Sequence, residues 1–600
     1  MAPQASTSDQ RGLLGLNEDV LSHIISDLPT RDALNLSVTA RGIHLIAKRH
    51  ALSVVTTRSN AATIRFCTHM LRDIPGRLHY VRELTINVDF RNISNAERSP
   101  ILTSALGSKW KERLGDSPAA RLLVPLLENA INLRSLSLSP MDILLHVQPR
   151  IGPAISAITQ LRYLDLQCLM DDAETCRMLE EMRSRPEEVG LSVYYHPKSI
   201  NNILSSIRGM QTIKSLTLSP DGVAASCDDL DDCLCWPSVS TLTIHRSCLP
   251  ITLAARLFPN ARKLRVASSY GHPEGASWSS LDYLDAPVLF LRDWSLPCAV
   301  HHISVHSDSG HCDSDIYRDF KSDFAEHIVR ILRETRPKVL SLPVLPWPDF
   351  NRAFWTDVAK AVPSLRSLEV ELCIFQDETD LIPHLIRDML KRSQGALSAI
   401  IGSIDSLVHI RISVRCSLMR EITYPIRFPT IPDPFIPTVL EADQMASALI
   451  KHIPSLRYVT FLSTYSTSGI SLSWNIGYSE ERRLLVPIPR HVAEDIRARI
   501  HALDFDPEVD LNGKETGPWP STYNHAWSVA VATQTARDMI RPPTNTQKDS
   551  EVQVVARRAE DDIAKPVKSS VRSKIWSHLQ SFICLGSKSG KTNERPEADR

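Results

Sequence analysis

One short pattern of apolar and polar positions returns along most of the chain. At Leu365-Arg366-Ser367-Leu368-Glu369-Val370 an apolar residue, two polar ones, an apolar, a polar and an apolar predict a strand that turns alternate side chains to one side. The same phrase begins at Leu133, Leu161, Ile213, Val239, Ala261, Leu407 and Leu456, and looser versions begin at Val81, Leu281, Val300 and Pro337. Most copies follow a stretch of helical spacing, often through a proline, as in Val362-Pro363-Ser364 and Ile453-Pro454-Ser455. A strand and a helix repeated in this way cannot bury their apolar faces alone and must stack on neighbours, which predicts a curved α/β solenoid over residues 81–485.

The flanks read differently. Residues 1–15 are polar and predict a disordered lead. Over residues 16–50 Asn17 can cap a helix with Glu18 and Asp19 in its first turn, and Val20, Leu21, Ile24, Ile25 and Leu28 form one apolar stripe. Pro29 ends that run, and two more short helices follow, holding Ala33, Leu34 and Leu36 and then Ile43, Leu45, Ile46 and Ala47. So small a core predicts stabilisation by a partner. Residues 51–80 keep helical spacing and read as a helical bridge. Residues 486–535 read as a C-terminal cap, with a helix through Val492, Ile496, Ile500 and Leu503 and with Trp519 and Trp527 as anchors. Residues 536–600 read as a mostly disordered tail, interrupted by a short amphipathic helix at 571–585 that could fold back, dock on a partner or lie on a membrane.

On the solenoid the polar positions of each strand should line a concave wall. Tyr163, Asp165, Thr241, Lys263, Arg265, His302, Glu369, Arg411 and Tyr458 are the residues expected to meet a partner there. Such a wall, mixed in charge and rich in hydroxyls, suits a folded protein or peptide better than a buried small ligand.

Charge and cysteine content narrow the function classes. The 600 residues carry 68 basic and 68 acidic side chains, so no global field points to nucleic acid or an anionic membrane. Twelve unevenly spaced cysteines make no disulfide framework, and neither a leader-like apolar segment nor a long apolar run is present, which together predict a cytoplasmic or nuclear protein with free thiols. Cys227, Cys233, Cys235 and Cys248 lack the C-x2-C spacing that zinc favours, and His301, His302, His306, His311 and Cys312 read as chance enrichment rather than a metal site. Gly586-Ser587-Lys588-Ser589-Gly590-Lys591-Thr592 falls one residue short of a phosphate loop and follows no strand. No catalytic residue, metal or cofactor is expected.

The repeated phrase resembles the L-x-x-L-x-L core of leucine-rich repeats, without the asparagine that normally follows the strand. Residues 16–50 resemble an F-box through Leu16, Glu18, Val20, Ile24, Leu28, Pro29, Asp32, Leu34, Leu36, Ser37, Arg41 and Ala47, with Asn17 in place of the usual proline and Ile43 in place of a frequent tryptophan. The resemblance implies a substrate-recognition subunit of an SCF-type ubiquitin ligase. Leu16, Val20, Ile24, Leu28, Pro29 and Leu34 would hold a Skp-family adaptor and through it a cullin complex, and the repeats would hold an unknown protein substrate. It implies no catalysis by this chain. The alternative is a repeat scaffold unrelated to ubiquitin, whose N-terminal helices only cap the first repeat.

Overall fold

The computed structural model describes residues 16–507 apart from residues 40, 75, 88–116, 170–172, 195–198, 222–232, 246–248, 268–277, 293, 295–297, 307–323, 345–351, 376–401, 418–438, 464–469 and 480–481. The chain divides into two units, Met1–Asn524 and His525–Arg600, and every described residue belongs to the first. The expected lead, Trp519, Trp527, the tail and its helix at 571–585 lie outside the described residues.

The described chain is mixed α/β. It opens with α1 (Glu18–Ser26), α2 (Thr30–Ser37) and α3 (Arg41–Ser53), and α4 (Asn60–Leu71) follows the first strand. Sixteen strands form one open sheet in sequence order. They begin with β1 (Val54–Thr57), β2 (Glu83–Asn87), β3 (Ser135–Ser139), β4 (Tyr163–Leu169) and β5 (Glu188–Tyr194). The middle of the sheet is β6 (Ser215–Asp221), β7 (Thr241–Ile244), β8 (Lys263–Val266), β9 (Leu281–Pro287) and β10 (Val300–His306). It ends with β11 (Val339–Val344), β12 (Ser367–Phe375), β13 (His409–Ser417), β14 (Tyr458–Ser463), β15 (Ile470–Ser479) and β16 (Arg482–Pro487). Neighbours from β1 to β14 are parallel, and β14–β15 and β15–β16 are antiparallel. A final helix spans Arg490–Ile500.

The period-2 phrase explains the sheet. In β3, β4, β6 and β12 the apolar positions Leu136 and Leu138, Leu164 and Leu166, Leu216 and Leu218, and Leu368 and Val370 are all buried. So are the residues that open each phrase, Leu133, Leu161, Ile213 and Leu365. Each such leucine contributes roughly 1.5–3 kcal/mol of burial, repeated strand after strand. Larger side chains fill wider gaps between repeats: Trp236 stacks on Phe258 at 5.5 Å between ring centroids, and Trp294 meets Trp278 and Phe290 edge-on.

Short polar side chains tie successive strand–helix units together. In the turns before β3, β7, β8, β13 and β14 a short polar side chain donates to a carbonyl of the preceding repeat. Asn132 reaches His79 O at 2.8 Å, Ser238 reaches Gln211 O and Ile213 O at 2.6 and 2.8 Å, and Asn260 reaches Pro237 O at 2.9 Å. Ser406 and Ser455 do the same for Leu365 and Leu407. These bonds satisfy turn carbonyls that would otherwise be left without donors.

One boundary moves. The segment expected as a helical bridge holds β1, because Val54-Val55-Thr56-Thr57 is a β-branched run that pairs in register with β2. The sheet therefore starts at Val54 and not at residue 81. At the other end it closes with an antiparallel hairpin, Ile470–Ser479 and Arg482–Pro487, so the last strands are not further copies of the phrase.

Candidate protein-interaction surfaces

The three N-terminal helices share a core of their own. Ile25, Ala33, Ala47 and Ala51 are buried together, with Leu28, Leu36 and Ile46 packed against them, and Ile43 is buried as well. Asn17 caps α1 by accepting from the Asp19 N–H at 2.7 Å, which fixes the helix start. His50 on α3 bonds to the Leu28 carbonyl at 3.0 Å, and His44 bonds to the Ser37 carbonyl at 2.8 Å. These contacts hold α3 against the ends of α1 and α2. Arg49 lies over the Tyr80 ring, which ties α3 to the segment before β2.

That core leaves much of the apolar stripe outside. Leu16, Val20, Ile24 and Leu34 are 41, 46, 38 and 46% exposed, and Val38 and Leu45 are more exposed still. Pro29 is exposed, and Leu28 is half-buried against the small core. Isolated exposed leucines are ordinary, but several on three adjacent short helices form a patch that water does not favour.

On the sheet, strand register gathers all nine expected partner-facing residues onto the face opposite the buried leucines. Tyr163, Thr241, Lys263, His302 and Tyr458 share one cross-strand row, and Asp165, Arg265, Glu369 and Arg411 share the next. From β2 to β8 this polar face is open. Tyr163, Lys263 and Arg265 are exposed, and Thr241 and Asp165 are half-buried. Asp165 accepts from Ser137 at 2.9 Å and Gln167 at 3.0 Å. At β9 Asp285 accepts from Arg265 at 2.7 Å and pairs with His306 at 3.0 Å. Burial alone would raise its pKa, but His306, Ser304 and Arg265 outweigh that and hold it down at about 2.

From β10 to β14 the same face is covered by the chain itself. The final helix was expected to shield the last apolar edge, yet it lies across the polar rows instead. Arg497 forks onto both oxygens of Glu369, and Arg411 sits 3.6 Å from Glu494. His501 reaches Ser367 Oγ at 3.2 Å, packs edge-on against His302, and its carbonyl meets His301 at 3.1 Å. Tyr458 is buried with Val408, Ile488, Ile500 and Phe505. His302, Glu369, Arg411 and Tyr458 are therefore not open to a partner in this conformation, because the chain's own helix occupies their side of the sheet.

The covered cluster is electrostatically closed. Burial pushes the imidazoles of His302 and His501 down to about 3 and that of His409 to about 4, so all three are neutral near pH 7. Burial works to raise Glu369, but the Arg497 bonds and charge, aided by His501 and His409, overcome it and hold its carboxyl well below the ordinary range. Glu369, His409 and His501 bring ligand atoms within 4.8 Å of one another, close enough to consider a metal. The charges argue otherwise: Glu369 and Glu494 already balance Arg497 and Arg411, and Arg497 occupies both Glu369 oxygens. A dication would leave two uncompensated charges in a nearly dry site. Ser367, 2.7 Å from His409 Nδ1, is fully buried and out of reach of a substrate.

The remaining sequence clusters do not assemble. His301, His302 and His306 each bond elsewhere, to His501 O, Ser341 Oγ and Asp285, while His311 and Cys312 lie outside the described residues. Cys233 and Cys235 sit in the turn before β7, and Cys227 and Cys248 are outside the described residues. Sequence reasoning missed Glu494, Arg497 and His501. Their spacing of three and four places them on one face of a helix, a signal hidden by attention to its apolar positions. Comparison with protein-family models and with curated proteins finds no match to the chain.

Proposed function

We propose that this chain is a substrate receptor of an SCF-type ubiquitin ligase, with an F-box in α1–α3 and a leucine-rich-repeat solenoid behind it. The observation that carries the reading is the stripe Leu16, Val20, Ile24 and Leu28, whose first three members stay exposed, as does Leu34 on α2, although the helices beneath have their own core, on which Leu28 packs. A helical cap would bury that stripe against the first repeat, whereas an adaptor-docking surface must leave it available. The open polar face from β2 to β8 is then where a target protein binds. The receptor has no chemistry of its own to perform: it joins adaptor and target, and the transfer step belongs to partners.

The test is capture of a purified Skp-family adaptor by the full chain and by a Val20→Asp/Ile24→Asp variant. Both positions are exposed, so the variant should fold as the wild type does, with its stability changed by no more than about 1 kcal/mol for the two substitutions together. Retention by the wild type and loss in the variant is the expected result. If the wild type fails to retain adaptor at micromolar concentration, the chain is a repeat scaffold outside ubiquitin transfer.

A further inference from the structure

The residues at the start of the strands, most of them immediately before the first strand residue, form a row of their own along one end of the sheet. Backbone N–H groups link the row in single file: Arg134 donates to Arg82 O at 2.8 Å, Arg162 to Arg134 O at 2.7 Å, Glu187 to Arg162 O at 2.8 Å and Lys214 to Glu187 O at 2.7 Å. Successive members are one strand spacing apart, about 4.8 Å. Farther along, basic members are neutralised within the row, Lys214 by Glu187 at 2.7 Å and Arg262 by Asp282 at 3.5 Å. The first three are not. Among the described residues Arg82, Arg134 and Arg162 form no ion pair and are exposed; Glu187, the nearest carboxylate in the row, is bonded to Lys214 and feels Arg162 only as a weaker, more distant charge. The backbone of the row is already hydrogen-bonded, so the fold has no need of these charges.

Three exposed arginines rooted within about 10 Å of one another along the backbone call for an anion. Beside them the polar face of β2 to β5 carries Glu83, Asp165 and Glu188 among serines and threonines. Those carboxylates disfavour a continuous polyphosphate backbone but leave room for separate acidic side chains. In a peptide extended as a polyproline II helix, residues i and i+3 share one face about 9 Å apart, which matches the two strand steps from Arg82 to Arg162. We propose that the row Arg82, Arg134 and Arg162 binds an extended acidic segment of a protein partner. This rests on the sheet being the partner-binding part of the chain and is independent of adaptor capture by α1–α3.

The experiment uses the full chain and a fluorescein-labelled hexaglutamate peptide, followed by fluorescence anisotropy in low salt. Saturable binding is expected, weakening as salt rises, with no binding of the hexaglutamine counterpart. Arg134→Glu/Arg162→Glu should weaken it by about tenfold or more, and Arg82→Glu alone by a few-fold. Arg333→Glu, an exposed charge on the helix Phe324–Thr335 away from the row, should leave it unchanged. Melting curves that match the wild type establish that each variant is folded. The proposal is overturned if binding is absent, if the double variant binds like the wild type, if Arg333→Glu causes the same loss, or if a twenty-nucleotide oligothymidylate binds more tightly than the peptide. The Val20→Asp/Ile24→Asp variant should keep peptide binding while losing adaptor, and the arginine variants should do the reverse, so each reading can fail alone.

Discussion

The two halves of the polar face are built from the same phrase and meet different fates. From β2 to β8 Tyr163, Lys263 and Arg265 are open, while from β10 to β14 the equivalent positions are covered by the helix Arg490–Ile500 and the residues after it. Little within one repeat distinguishes Asp165 from Glu369: both are acidic, in the same row, and between buried aliphatic residues, Leu164 and Leu166 or Leu368 and Val370. What separates them is a partner supplied from far along the chain. Asp165 is held by Ser137 and Gln167 from its own and the adjacent strand, and Glu369 by an arginine 128 residues away. A residue's place on a repeat thus decides which face it joins, and a distant segment decides whether that face is available.

Acid should break the covered half first. His302, His409 and His501 have folded pKa values of about 3 to 4, below the ordinary 6.5, so the unfolded chain takes up protons that the folded one refuses. Their contribution to stability is complete above pH 6.5 and is lost as the pH falls from there toward 4. The carboxyl of Glu369, also depressed, adds to the loss below its ordinary value of 4.5. Between pH 7 and 5 the loss is on the order of 2 kcal/mol for each imidazole that stays neutral in the fold. Thermal unfolding across this range should show a steep fall in Tm, and His409→Asn should flatten it. A pH-independent Tm between 7 and 5 would sink the description of this cluster.

Removing one charge from each half sharpens the contrast. Glu369→Ala strands Arg497 against the sheet and should destabilise by about 2–4 kcal/mol, somewhat less than for a fully buried pair because Arg497 keeps contact with water. Hydrogen exchange should then rise across Arg490–Ile500. Lys263→Ala, exposed on the open half, should cost no more than about 0.5 kcal/mol. Urea denaturation of the two variants decides it, and equal losses would mean that the halves are not distinct.

The sequence made the sheet legible because a strand buried on one face must alternate, and the leucines of each phrase do. It made the apolar stripe of α1 legible for the same reason, since Val20, Ile24 and Leu28 recur at helical spacing. The cover was not legible. His501 meets Ser367 across 134 residues, and no local pattern records a contact of that span. β1 was obscured differently: four β-branched residues between two helices are too short to alternate visibly, and only pairing with β2 makes them a strand.

The smallest test concerns the open half alone. Gly190 pairs with Asp165 in the sheet, and a Cβ placed on it would fall 2.8 Å from Asp165 Oδ1. The glycine therefore makes room for the carboxylate that Ser137 and Gln167 hold in place. Gly190→Ala should push Asp165 aside, weaken those bonds and cost about 0.5–1 kcal/mol. In an Asp165→Ala background the obstruction is gone, and alanine restricts the unfolded chain more than glycine does. There the same Gly190→Ala change should be neutral or stabilising by up to about 1 kcal/mol. The double-mutant cycle should then show coupling of at least about 0.5 kcal/mol. Additive effects would mean that Asp165 moves freely, and that the open face is held less firmly than its hydrogen bonds imply.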